Sequence, residues 1–102
     1  MTHALVRLTL VFPPALEGAL SEALITAPNS PGFTLLHGEG HSSDFPRAST
    51  AEQVRGRIDR RVILVVVQAE ALEPLIRALK QRVPSHDIVW WSEPVLELGR
   101  LA

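Results

Sequence analysis

Six consecutive aliphatic residues, VILVVV at positions 62–67, cannot alternate between a dry face and a wet one. Five of the six are β-branched, which favours an extended strand over a helix. A strand of this kind needs apolar cover on both sides. The rest of the chain must therefore supply two layers of packing around one sheet, or leave one face to be covered from outside.

The flanking patterns show what is available. Residues 4–12 alternate, with Val6, Leu8, Leu10 and Phe12 on one side and Leu5, Arg7, Thr9 and Val11 on the other, so they read as a strand. Pro13 and Pro14 stop it and can open a helix, because a first-turn proline lacks only an N–H that has no helical partner. Leu16, Ala19, Leu20, Ala23 and Leu24 recur at helical spacing until Pro28 and Pro31 break the pattern. A second strand is expected over residues 32–38 and a third over 57–68. The second helix carries Leu72, Leu75, Ile76, Leu79 and Val83 on one stripe, with Pro74 expected near its first turn. A short fourth strand over residues 86–91 and a tail over 94–101 complete the chain.

The order β-α-β-β-α-β predicts a single α+β domain over residues 1–102, a ferredoxin-like antiparallel sheet with two helices on one face. One side of strand three, Leu5, Val11 and one of the paired tryptophans then face away from the helices. An apolar patch of that kind marks an interface between copies, unless the tail folds back over it. Between strands two and three lies a long loop, about residues 39–56, and loops longer than about 12–15 residues are functional or disordered. Within it, Ser49 to Glu52 can form a capping box, with Gly56 as a stop.

Composition removes several functions. There is no cysteine, so disulfides, thiolate metal sites and cysteine nucleophiles are out, and ten basic against eleven acidic residues do not suit a protein that grips nucleic-acid phosphates. The N-terminal apolar run is far shorter than the ~20 residues of a membrane span, which predicts a cytoplasmic protein with no membrane insertion. Strand three has no aromatic rings for base stacking, and the loop "FPPALE" offers neither a Cys-x-x-Cys pair nor a phosphate-cradling arginine. No acid–base or nucleophile pair stands out, so an enzyme is not expected.

The long loop and the open sheet face together resemble the PII-like superfamily, the trimeric signal proteins and their CutA relatives. "LVFPPALEGALSEALI", "GFTLLHGEGH", "AEQVRGRIDRRVILVVV" and "WWSEPVLELGRL" are similar, over nearly the whole chain, to the small bacterial family called domain of unknown function 3240. The resemblance implies a homotrimer with clefts between subunits, each lined by the loop root of one chain and the turn after helix two of the next. It also implies a link to heavy-metal efflux, since members of that family tend to be encoded beside such systems. The turn at residues 83–87, Val-Pro-Ser-His-Asp, departs from the glycine-rich, lysine-ended turn that holds nucleotide phosphates in PII proteins.

Two ligand sets follow. His37, His41 and Asp44, with Glu39 beside them, and His86 or Asp87 from a neighbouring chain suit a divalent ion such as Cu(II) or Zn(II). His37 and His86 of one chain belong to strands at opposite sides of the sheet, so only a trimeric cleft would join them. Alternatively Arg55, Arg57, Arg60, Arg61 and Arg100 could hold a nucleotide or another anion. A third reading is an adaptor without ligand that docks on a membrane transporter through the loop, using Phe45 as its apolar anchor. In the plain structural alternative, His37 is a strand-end residue, His41 is solvated and the arginines are a paired surface.

Overall fold

The computed structural model describes residues 4–28, 31–40 and 58–102. Four strands form one antiparallel sheet in the order β2-β3-β1-β4: β1 (Leu5–Phe12), β2 (Thr34–Gly40), β3 (Ile58–Gln68) and β4 (Val89–Val95). Two helices, α1 (Glu17–Thr26) and α2 (Ala69–Arg82), pack on one face. A single 3-10 turn, Pro14–Leu16, leads into α1 with Pro14 in its first position.

The alternation of β1 does what its pattern predicts. Leu8, Leu10 and Phe12 are buried against the helices together with Ile63 and Val65, their neighbours being aligned by the pairing of Leu8 with Val65 and Leu10 with Ile63. Leu20, Ala23 and Leu24 of α1 and Leu75, Ile76 and Leu79 of α2 close the core from above, while Leu72 and Val83 lie at its margin. Ala19, expected on the buried stripe, is exposed, and Ala27 just beyond α1 takes a buried place instead. Arg82 Nη1 donates to Thr26 Oγ1 at 3.0 Å and links the two helices.

Two strands differ from the sequence expectation. Strand β2 starts two residues later and runs to Gly40, and β4 runs over Val89–Val95, so it includes Pro94 instead of ending at Trp91. An edge strand tolerates proline where the missing N–H would have faced away from the sheet. Pro74 is the sixth residue of α2, beyond the first turn, so its ring displaces a hydrogen bond that the Glu70 carbonyl would otherwise accept. Pro74→Ala is expected to stabilise the fold by about 2 kcal/mol, the helix-interior cost of proline less the entropy its rigidity removes from the unfolded chain. Urea unfolding would measure it, and an unchanged midpoint would show that the helix has relaxed around the ring at no cost.

The tail does not cover the open face. Leu96 is 96% exposed and Leu98 63% exposed, and Leu101 makes no protective contact either.

Candidate functional site

Strand register decides which candidate residues share a neighbourhood. β1 and β2 finish at the same end of the sheet where β4 begins, because Phe12 pairs with Arg61, Gly40 with Ile58 and Val11 with Val89. The root of the long loop and the turn at residues 83–87 therefore lie at one end. They stand on opposite edges, since β2 and β4 are separated by β3 and β1, three strand spacings or about 14 Å. His37, on β2, and His86, ahead of β4, are both exposed and belong to these two edges. His41, Asp44, Phe45 and Arg55 lie outside the described residues, as do Arg57 and the capping box at Ser49 to Glu52.

The adjacent Arg60 and Arg61 point to opposite faces of β3, as strand geometry requires. Arg61 shares the helix face with its cross-strand partner His37, and its Nε donates to Glu17 Oε1 at 3.0 Å. Its Nη1 also donates to the Arg60 carbonyl at 3.3 Å, so Arg61 is chiefly a tie between β3 and the start of α1. Arg60 lies half-buried on the other face, where its Nη1 donates to the Asp59 carbonyl at 3.0 Å. Gly40 makes room for it, since a Cβ there would come within 3.3 Å of Arg60 Cγ. Arg100 is exposed on the tail, which leaves β4 at the far end of the sheet, where Val95 pairs with Leu5. Among the described residues, no group of three or more His, Asp or Glu is placed to hold a metal ion.

The sheet face turned away from the helices is apolar along all four strands. β3 contributes Val62, Leu64 and Val66, β2 adds Leu36, β1 adds Leu5 and Val11, and β4 adds Val89, Trp91 and Val95. Trp91 is 46% exposed there, whereas Trp90 faces the helix side beside Leu10. Among the described residues one ion pair crosses this face: Arg7 Nη2 donates to Glu93 Oε1 at 2.6 Å. The pair is not foreseen from the sequence, because a fourth strand expected to end at Trp91 leaves Glu93 outside the sheet. The signal was present, in an arginine on the outward phase of an otherwise apolar strand.

The hydrogen bond from Arg7 holds the Glu93 carboxyl below the usual carboxylate range. A carboxyl lowered by folding stabilises the fold above its unfolded value, about 4.3, and loses that contribution as pH falls through the lower folded value. Solvent keeps the effect small, because both side chains are well exposed. Arg7→Met should return Glu93 to the ordinary range in a carboxyl-detected NMR titration, and an unmoved titration in that variant would show that Arg7 is not the cause.

No helix among the described residues is long and apolar enough to cross a membrane. No curated protein matches the chain. Among solved structures, a DUF3240 family protein from Shewanella baltica is similar at TM-score 0.77 and 18% identity, with 100% of both chains covered. CPII from Thiomonas intermedia, a nitrogen regulatory PII-like protein bound to ADP, AMP and bicarbonate, is similar at TM-score 0.69 and 19% identity over 96% of each chain. Arabidopsis thaliana PII bound to citrate is similar at TM-score 0.70 and 16% identity, over 97% of this chain and 84% of that one. At these identities the likeness is one of fold, and it agrees with the four-stranded sheet and its two-helix layer. The family model for proteins of unknown function, DUF3240, matches residues 2–102, so the chain belongs to the DUF3240 family, on a fold shared with PII-like proteins.

Proposed function

We propose that this chain is a non-enzymatic, cytoplasmic PII-like regulatory protein. It assembles as a homotrimer through its open sheet faces, senses a small anionic effector between subunits and signals through the long segment that joins β2 to β3. The observation that carries this reading is the uncovered face of β3, where Leu64 and Val66 lie in a sheet that its own tail leaves bare. A second copy of the same apolar surface is the simplest cover, since association gains about 25 cal/mol for each Å² of apolar surface it removes from water.

Packing copies together also answers the separation of the candidate residues. The loop root and the turn at residues 83–87 share an end of the sheet but stand on opposite edges, so a cleft that uses both takes one from each of two chains. An anion is favoured as effector because the PII-like neighbours of this fold hold ADP, AMP, bicarbonate or citrate. Arg60 is the described arginine best placed to serve it, being beside the loop root with only a backbone acceptor of its own.

The metal reading needs His37, His41 and Asp44 to meet His86 of a neighbouring copy, and it would connect the protein to heavy-metal homeostasis. The adaptor reading needs Phe45 to meet a transporter. Mass measurement by light scattering, followed by melting of tag-free, metal-stripped protein with ADP, AMP, bicarbonate, citrate, Cu(II) and Zn(II), separates the three. A ligand at a hundredfold excess over its Kd adds about 2.7 kcal/mol, or about 10 °C or more for a chain of this size. A trimer whose melting rises with an anion and not in Arg60→Ala supports the proposal. A rise with a metal alone, lost in His41→Ala, moves the function to the histidines, and a monomer without any rise overturns it.

A further inference from the structure

A second site lies on the helix side of the sheet, opposite the open face. β4 is an edge strand, and α2 covers it incompletely near its C-terminal end, so Trp90 remains 41% exposed although it faces the helices. Beneath this gap is a hollow of about 140 Å³. Its base is core, formed by Leu10, Ile76 and Leu79, and Trp90 is one wall.

Two polar residues line the same hollow, Lys80 and Ser85, and no carboxylate does. Lys80 is the only lysine in the chain. The arginines Arg7, Arg61 and Arg77 each have a carboxylate, and Arg82 has the Thr26 hydroxyl, but Lys80 makes no ion pair or side-chain hydrogen bond among the described residues. Ser85 Oγ accepts the Asp87 N–H at 3.1 Å, which leaves its own O–H to donate elsewhere. An apolar base, an aromatic wall and an unpaired cation with one hydroxyl beside it are complementary to a ring that carries a single negative charge.

We infer that this hollow binds a small aromatic or cyclic monocarboxylate, with the ring against Trp90 and the carboxylate at Lys80 and Ser85. Size selects the ring, because an apolar cavity of about 150 Å³ is what takes up benzene. A nucleotide is far too large for it, and a polyphosphate would find one cation over a hydrocarbon floor. The site is complete within one chain and does not rest on the trimer. Because Ser85 belongs to the turn at residues 83–87, occupancy would act on the same turn that the proposed function places at the subunit cleft.

Benzoate is the test probe, with benzyl alcohol as its uncharged counterpart, each titrated by calorimetry and by tryptophan emission in Trp91→Phe, which leaves Trp90 as the reporter. Benzoate should bind saturably and more tightly than benzyl alcohol, and Lys80→Met should weaken benzoate about five- to tenfold while leaving benzyl alcohol unchanged. Lys80 is exposed, so this variant keeps the fold, and calorimetry on the parent protein gives the same comparison should Trp91→Phe alter assembly. The absence of saturable benzoate binding would overturn the inference, as would equal affinity of parent and Lys80→Met for benzoate. Either result leaves the proposed trimer and its cleft untouched.

Discussion

Phe12→Ala is expected to destabilise the protein by about 3–5 kcal/mol, a large share of the 5–15 kcal/mol that holds an ordinary domain together. Phe12 is the last residue of β1 and is 0% exposed. It occupies the corner where β1 ends, the 3-10 turn begins and α1 is about to start, so the surrounding backbone is held by Pro13 and Pro14 and cannot collapse into the space. Arg61, its cross-strand partner, is tied to Glu17 and offers no apolar replacement. Denaturant unfolding followed by circular dichroism would measure the loss, with Ile25→Ala as a control. Ile25 is 62% exposed on the outer side of α1, and that change should stay within about 0.5 kcal/mol. A loss below about 1 kcal/mol for Phe12→Ala would mean that the corner repacks freely.

Leu64→Glu tests the assembly from the centre of the open face. Leu64 pairs with Thr9 on one side and Thr34 on the other, and it is only half-buried in a single chain, so a carboxylate there can reach water in the monomer. Between packed copies it would be an unpaired buried charge, and such a charge costs about 3–5 kcal/mol. If the proposed trimer forms through this face, the variant should keep its secondary structure and sediment as the 11.2 kDa monomer at concentrations where the parent assembles. A Leu64→Glu protein that remains trimeric would place the interface elsewhere.

The helix stripes and the alternation of β1 were legible because period 3.6 and period 2 are properties of a segment and need no knowledge of its neighbours. The strand order followed from the β-α-β-β-α-β succession of elements, and with it the separation of His37 from His86. Strand four was misjudged because Pro94 reads as a stop in any sequence, while its acceptance depends on β4 being at the edge of the sheet. The arginine cluster shows the same limit. Arg60 and Arg61 are neighbours in the chain, yet one lies beside the loop root on the open face and the other is held by Glu17 under α1.

What the amino-acid pattern determined by itself was the set of elements, their order and the demand of residues 62–67 for cover on both faces, since these depend on local periodicity and on how much apolar surface a strand carries. What only the tertiary structure decided was where those demands go unmet. The tail stays away from the sheet, Arg7 finds Glu93, and Lys80 stands above an apolar hollow without a partner among the described residues. Each of these is a relation between residues far apart in the chain. Such relations are set by strand register and by how far α2 reaches over an edge strand, which no local pattern encodes.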